Sequence, residues 1–165
     1  MKYCLLFLSA VILLASCEKT KSPVTKQDKL RDGKWWVDTT VMAYYKPYSD
    51  TDSVYGIGKS SLPDCKLDDR IIFRESTNGA HVTEKEKCGA ELEEYGFTWG
   101  ILENDTKMYF YGASSFLAED DINAELKEFA DDKFVIVYYR FKYRQDPGEA
   151  LMRDTTKYTV TFIKK

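Results

Sequence analysis

Apolar and polar side chains alternate with a period of two along most of the chain after residue 33. In residues 34–45 (KWWVDTTVMAYY) one parity is apolar, whereas the other carries Asp38 and Thr40. The apolar positions are Trp35, Val37, Val41, Ala43 and Tyr45. Because successive side chains of a strand point to opposite faces, this pattern predicts a long strand with one buried face.

The same alternation recurs in seven further segments, at residues 69–75, 80–86, 95–104, 107–112, 121–129, 133–144 and 156–165. Asn78-Gly79 predicts a tight type I′ turn between two of them, and Asn104-Asp105 predicts another turn. Residues 121–133 also fit one helical face, but the turn at Asp131-Asp132 directly before a strand favours a hairpin. In the strand at 133–144 the expected inward positions are Val135, Val137, Tyr139, Phe141 and Tyr143.

The connection after the first strand, residues 46–64, is long, polar and rich in Gly and Ser. We therefore expect it to form a lid or side loop instead of a core element. Eight antiparallel strands joined in sequence close naturally into a barrel, since closure removes the unpaired edges that promote aggregation. The sequence thus predicts an all-β domain over residues 30–165, folded as an eight-stranded antiparallel up-and-down barrel.

The first residues depart from this pattern. Lys2 precedes an apolar stretch from Leu5 to Leu14, and residues 1–16 have the form of an export signal. The stretch is too short to span a bilayer comfortably. Residues 17–29 are polar and without periodicity, so they predict a flexible tether.

The end of the apolar stretch, Leu14-Ala15-Ser16-Cys17, resembles the lipobox of bacterial lipoproteins. This resemblance implies cleavage before Cys17, acyl chains on that residue and attachment to a membrane. Two or three acyl chains make a durable anchor, whereas one alone holds weakly. The alternative is an ordinary signal peptide that is cleaved beside a cysteine.

Two of the four cysteines remain once Cys4 leaves with the signal and Cys17 is acylated. An exported protein folds where disulfides persist, so Cys65 and Cys88 are most simply a bridge. The rival interpretation is a metal or reactive-thiol site. It has little support, because His81 is the only histidine and two thiolates with one imidazole fall short of a tetrahedral ligand set.

Gly33-Lys34-Trp35 matches the G-x-W that begins the barrel of lipocalins. The order of lipobox, tether, G-x-W, the cysteine-led strand at 65–73, a second cysteine and the strand at 97–104 resembles lipocalin-like lipoproteins of Gram-negative bacteria. The resemblance implies a barrel whose closed end is plugged by Trp35, with Lys164 or Lys165 stacked on that ring. It also implies the cell envelope, most simply the outer membrane, with periplasmic and surface orientations both open.

The sequence has 27 acidic and 24 basic residues, and the basic ones are not clustered. This distribution argues against nucleic acid as a partner. The chain lacks a Gly-rich phosphate loop and a Ser-His-Asp spacing, so we predict no enzyme, no cofactor and no metal site. The acidic doublets are expected at turns and solvated edges, and His81 on a strand surface. These doublets are Asp68-Asp69, Glu93-Glu94, Asp120-Asp121 and Asp131-Asp132.

Large rings on the predicted inward faces either line a ligand pocket or fill the barrel. They are Trp35, Tyr45, Phe73, Phe97, Trp99, Tyr139, Phe141 and Tyr158. An eight-stranded barrel is just wide enough for either arrangement, and filling is favoured. The first function predicted is the binding of a small apolar or amphipathic molecule. The alternative is a filled barrel that contacts an envelope protein through the long early loop or through residues 114–121.

Overall fold

The computed structural model describes residues 22–45, 54–60, 64–66, 68–145, 147 and 151–165. One helix, α1 (Lys26–Arg31), and a single 3-10 turn (Asp64–Lys66) accompany nine strands in this part of the chain. The strands are β1 (Lys34–Tyr45), β2 (Val54–Ser60), β3 (Arg70–Phe73), β4 (Asn78–Val82), β5 (Glu94–Leu102), β6 (Lys107–Tyr111), β7 (Ile122–Phe129), β8 (Lys133–Arg144) and β9 (Met152–Lys164). The export signal and Cys17 lie outside the described residues.

Eight strands, β1 and β3 to β9, form a closed antiparallel barrel. Each pairs with its neighbour in sequence, and β1 closes the ring by pairing with both β3 and β9. The predicted all-β up-and-down architecture is confirmed, and it is consistent with a lipocalin-like fold. The predicted strand at 121–129, which also fitted a helix, is confirmed as β7.

The segment expected to form a lid or side loop, residues 46–64, contains a strand, so that expectation is wrong for part of it. Residues 54–60 form β2, which pairs with the second half of β1, from Thr40 to Tyr45. Among the described residues, β2 pairs with β1 alone and stands outside the closed ring. A strand in that position is held by backbone hydrogen bonds to one neighbour, so it does not require the alternating apolar pattern of a core strand.

Helix α1 begins inside the stretch predicted as tether. Thr25 and Asp28 form a capping box at its start, in which each side chain accepts a hydrogen bond from the other residue's backbone N–H. Leu30 is fully buried, and its carbonyl accepts a hydrogen bond from Nε1 of Trp35 (2.9 Å). Lys29 binds Asp131 in the β7–β8 turn (2.7 Å), so α1 closes the end of the barrel where that turn lies.

Aromatic rings fill the interior next to α1. Trp35 meets Phe134 edge-on with ring centroids 4.9 Å apart, and Phe134 stacks on Phe162 at 4.4 Å. Phe73 and Trp99 are 4.8 Å apart in a T-shaped contact. These side chains are almost completely buried, so their contacts agree with the favoured prediction that rings fill the barrel.

Lys164 and Lys165, one of which was expected to stack on the Trp35 ring, lie elsewhere. The ammonium of Lys165 lies 5.5 Å from the ring centroid of Trp36, on the outer face, and Arg31 of α1 lies 5.8 Å from that of Trp99. The side chain of Lys164 instead crosses Gly33, where a Cβ would be only 2.6 Å from its Cε.

Two strands present a different face to the interior than their sequence parity predicted. In β1 the register with β9 shifts between Val37 and Thr39, so Asp38 is an extra residue. Such a β-bulge reverses the parity beyond it. Met42 consequently packs on the core, whereas Val41 is 37% exposed and Tyr45 shares its outer face.

In β8 the inward residues are Phe134, Ile136 and Tyr138, all buried, and not the predicted odd-numbered set. Tyr139 and Phe141 are 46% and 50% exposed, and their rings stack on the outer surface. Both parities of this strand are apolar only in its first half. In its second half the even parity carries Arg140, Lys142 and Arg144, which made the odd-numbered side the apparent buried face.

The turn of the β3–β4 hairpin lies two residues before the predicted Asn78-Gly79. Ser76 and Thr77 are its central residues, with φ of 55° and 63°, while Asn78 and Gly79 begin β4. Gly79 is required for packing, because a Cβ there would be 2.2 Å from Cζ of Phe97 on the neighbouring strand. The turn predicted at Asn104-Asp105 is confirmed, with positive φ at both residues.

Candidate functional site

The end of the barrel opposite α1 is partly open. The β4–β5 connection (83–93) and the β6–β7 connection (112–121) both lie at this end. Residues 113–117 form a helical turn in which Ala113 O accepts from the backbone N–H of Leu117 (2.9 Å). This turn directs Phe116 inward, against Phe97 and His81 at centroid distances of 5.0 and 5.7 Å. The segment predicted as a partner-binding loop therefore folds partly into the barrel.

A cavity of about 310 Å³ lies beneath this connection and is called the mouth cavity below. Its walls combine apolar and aromatic side chains with hydroxyl groups and one cation. The lining residues are Thr40, Met42, Lys66, Ser114, Ser115, Phe116, Leu117, Ala118, Tyr138 and Tyr158. Thr40 and Met42 reach it because the bulge at Asp38 turns the even-numbered side of β1 inward.

Tyr138 and Tyr158 form one wall of the mouth cavity. Their rings stack with centroids 5.0 Å apart, and Tyr138 Oη accepts a hydrogen bond from the backbone N–H of Ala118 (3.2 Å). Burial raises the pKa of Tyr138 to about 12, so its hydroxyl stays protonated. This wall offers a flat apolar surface with a polar edge.

A buried polar network adjoins the mouth cavity. Asp69 is the centre of this network: its Oδ2 lies 2.8 Å from Nε2 of His81 and 3.1 Å from Nζ of Lys66. Oδ1 of Asp69 accepts from the backbone N–H of Glu84 (3.3 Å). Lys66 also contacts Oε1 of Glu91 at 2.7 Å. Two expectations are corrected here, because His81 and Asp69 are buried and not on a strand surface or solvated edge.

The disulfide between Cys65 and Cys88 holds the two arms of this network together. The predicted bridge is confirmed, with the Cα atoms 5.5 Å apart. Cys65 precedes Lys66 in the 3-10 turn, and the backbone N–H of Cys88 donates to Oε2 of Glu91 (2.9 Å). The hairpin turn at Ser76-Thr77 is equidistant in sequence from the two cysteines, so the unequal arms implied by a turn at Asn78-Gly79 do not occur.

Charges and burial set the protonation of the network. Burial lowers the pKa of His81 below its ordinary value, and the charge and hydrogen bond of Asp69 oppose this only in part. Burial also lowers the pKa of Lys66, but hydrogen bonds to Glu91 and Asp69 outweigh it and raise that pKa overall. The hydrogen bonds from Lys66 and the Cys88 N–H lower the pKa of Glu91. The network therefore combines a charged Lys66–Glu91 pair with a neutral imidazole.

A second, smaller cavity of about 30 Å³ lies between the network and the mouth cavity and is called the inner pocket. It is lined by Val37, Lys66, Asp69, Ile71, His81, Ser115 and Phe116. Lys66, Ser115 and Phe116 line both cavities, so the two adjoin. Nδ1 of His81 and Oγ of Ser115 are buried and have no hydrogen-bond partner among the described residues.

The rings predicted to line a ligand pocket do not form one group. Tyr158 alone among them lines the mouth cavity, whereas Trp35, Phe73, Phe97 and Trp99 belong to the packed core. The remaining three, Tyr45, Tyr139 and Phe141, lie on the outer face.

Sequence reasoning missed the polar residues near the mouth: Lys66, Asp69, His81, Glu91 and Ser115. One signal could have found His81. With the hairpin turn at Ser76-Thr77, Ile71 pairs directly with His81, and paired residues share a face of the sheet. Ile71 has the same parity as Phe73, which was predicted to face inward, so the correct register would have placed His81 inside.

No protein-family model matches the chain, and comparisons with curated proteins and with solved structures gave no significant match. Within the residues that the structure describes, no helix combines the length and apolar character needed to cross a lipid bilayer. The same residues contain no group of three or more His, Cys, Asp or Glu side chains placed to hold a metal ion.

Proposed function

We propose that this chain is a lipid-anchored protein of the bacterial cell envelope whose barrel binds one small amphipathic molecule without altering it chemically. The observation that carries the proposal is the mouth cavity of about 310 Å³. Small-molecule sites commonly measure about 300–1,000 Å³ and combine apolar walls with a few polar groups. The mouth cavity falls at the small end of this range, so the molecule is small or leaves part of its length outside.

The lining supports an amphipathic ligand over a purely apolar one. Met42, Leu117 and the Tyr138–Tyr158 pair offer apolar surface on the walls. Lys66 and Ser115 lie at the boundary with the inner pocket, where polar groups converge. An apolar molecule that filled both cavities would leave Oγ of Ser115 and Nδ1 of His81 buried without partners, which costs free energy.

Binding without catalysis is supported by the geometry of the two groups that could act as nucleophile and base. Ser115 and His81 line the same inner pocket, but Oγ of Ser115 and Nδ1 of His81 make no hydrogen bond to each other. An activated serine requires its base within hydrogen-bond reach.

Anchoring rests on Leu14-Ala15-Ser16-Cys17 and places the protein in the envelope, with the outer membrane as the expected destination. The test is Cys17→Ala, expressed in a Gram-negative host. We expect loss of acylation by mass spectrometry and a shift from the membrane to the soluble fraction. Membrane retention equal to that of the parent would contradict the anchor.

Ligand binding is tested by native mass spectrometry of protein purified from its own host, where a retained small molecule is expected. Thr40→Phe fills the mouth cavity and should abolish the added mass. The matched control is Thr39→Phe, because Thr39 pairs with Thr161 on the outer face of the same strand. Parent protein without a retained molecule, but with a co-purifying envelope protein, would favour the interaction-module alternative.

A further inference from the structure

His81 is a buried polar side chain with one nitrogen left for a ligand. Its side chain is only 2% exposed, and its ring stacks on Tyr95 with centroids 5.8 Å apart. Nε2 is bound to Asp69, while Nδ1 has no partner among the described residues and the ring lines the inner pocket. Buried polar atoms are nearly always hydrogen-bonded, so an open Nδ1 indicates that something else binds there.

The partners of Asp69 determine which ring nitrogen of His81 carries the hydrogen. Asp69 accepts from the Lys66 ammonium and from the Glu84 backbone N–H, as an ionised carboxylate does. Such a carboxylate can only accept, so Nε2 of His81 carries the hydrogen in that contact. In a neutral imidazole, Nδ1 then holds a lone pair and accepts a hydrogen bond.

Ser115 supplies a second acceptor beside the inner pocket. Its Oγ is buried and has no partner in the described part of the chain, whereas the neighbouring Ser114 Oγ donates to Asp120 (2.8 Å). A hydroxyl can accept two hydrogen bonds. The inner pocket therefore presents two acceptors to whatever enters from the mouth cavity.

The charge around the inner pocket favours a cation. Lys66 contributes one positive charge, and Asp69 and Glu91 contribute two negative ones. With His81 neutral, these four side chains carry one net negative charge. The Lys66 ammonium is held by both carboxylates, so it is already matched and does not call for an anionic ligand. Partly desolvated charges interact strongly, because screening by water and salt is weak there.

We infer that the inner pocket receives the ammonium group of an amphipathic amine, with Nδ1 of His81 and Oγ of Ser115 accepting its hydrogen bonds and the apolar tail lying in the mouth cavity. This inference rests on the proposed function and specifies its ligand class. The inner pocket of about 30 Å³ is large enough for one group the size of a water molecule or an ammonium.

The test compares three probes with the same ten-carbon chain: decylamine, 1-decanol and decanoate. Isothermal titration calorimetry at neutral pH, below micelle-forming concentrations, should rank the amine first, the alcohol second and the acid last. We expect about a tenfold gap between amine and acid, since only the ammonium can donate charge-assisted hydrogen bonds to the two acceptors.

Ser115→Ala should weaken decylamine binding about tenfold and leave decanoate unchanged. This variant is expected to fold, because Ser115 Oγ makes no hydrogen bond to the described residues. Thr39→Ala is the control, since Thr39 lies on the outer face of β1 and lines neither cavity, and its decylamine affinity should equal that of the parent.

Failure of the subsite can be told apart from failure of the proposed function. If all three probes bind with equal affinity, or the acid binds most tightly, the mouth site stands and the ammonium subsite is overturned. An unchanged decylamine affinity in Ser115→Ala also overturns the subsite. If none of the three probes binds, both inferences fail.

Discussion

At the scale of single residues, Gly79 shows how the barrel accommodates its rings. Phe97 lies across this glycine from the neighbouring strand, and its ring is also packed against Phe73, Phe110 and Phe116. A ring lying over a cross-strand glycine covers exposed backbone and compensates for the missing side chain. Because the ring has core neighbours on its other sides, it cannot easily move away from an added methyl group.

We therefore expect Gly79→Ala to lower the free energy of unfolding by about 1–3 kcal/mol, the usual cost of overpacking. Gly96→Ala is the matched control: Gly96 lies on β5 directly before Phe97, and a Cβ there would meet nothing within 4 Å. The free energy of unfolding of Gly96→Ala should lie within about 0.5 kcal/mol of the parent value. Urea denaturation measures both, and equal stability of the two variants would contradict the close packing at Gly79.

Trp35 and Trp36 make a second matched pair, since adjacent residues of β1 face opposite sides. Trp35 is fully buried against Phe134, whereas Trp36 lies on the outer face beneath Lys165. Trp35→Ala should lower the free energy of unfolding by about 3–5 kcal/mol, because a large buried ring is lost. Trp36→Ala should lower the free energy of unfolding by a clearly smaller amount. Thermal denaturation distinguishes them, and similar melting temperatures would mean that the assignment of faces is wrong.

At the scale of elements, the positions of the core strands could be predicted, but not always the face that each turns inward. Alternation located β1 over its full length and predicted a strand at each of β3 to β9, because period two is a property of the strand itself. The starts of β4 and β9 were predicted too late, by two and four residues. The bulge at Asp38 depends on the register with β9, which no pattern within β1 contains. The mouth cavity depends on that bulge, so Thr40 and Met42 could not be predicted as lining residues.

The Cys65–Cys88 bridge is the element that couples the fold to the candidate site. It closes a loop with a sequence separation of 23 residues and fixes the 3-10 turn that carries Lys66 beside Glu91. In the chain-entropy model a loop of this length contributes about 3 kcal/mol. The paired variant Cys65→Ser with Cys88→Ser should lose roughly that amount in urea denaturation.

Two controls accompany this prediction. Parent protein treated with a reductant should match the paired variant, and non-reducing peptide mapping of the untreated parent should recover residues 65 and 88 in one linked fragment. Free thiols at both positions in protein exported by its host would contradict the bridge.

At the scale of the whole molecule, the architecture could be predicted more completely than the site. A closed barrel follows from strand number and short turns, which are local signals. The polar network instead joins residues from the 3-10 turn, β4 and the β4–β5 connection, and Ser115 approaches it from the β6–β7 connection. Its assembly depends on the hairpin register and on the disulfide, and the misplaced turn at Asn78-Gly79 was enough to hide His81.

The same network gives the molecule one defined response to acid. His81 is the only histidine, so it is the only side chain with an ordinary pKa between those of the carboxylates and the thiols. The groups close to its ring are Asp69, Lys66 and Glu91, and their combined effect with burial is a pKa below the ordinary value. The unfolded chain therefore binds a proton at a pH where the folded chain does not, and stability must fall as the pH drops below about 6.5.

We expect the free energy of unfolding to fall by about 1 kcal/mol between pH 7.5 and 5.5, within the limit of about 1.4 kcal/mol per pH unit for one proton. Loss of the Lys66–Glu91 contribution belongs to a lower range, because the pKa of Glu91 is lowered from an ordinary value of 4.5. Urea denaturation across this window measures the change, and His81→Gln should make the profile flat. If that variant does not fold, NMR of the parent gives the answer directly: the single imidazole should titrate with a midpoint below 6.5, and a midpoint above it would show that the buried ring is charged.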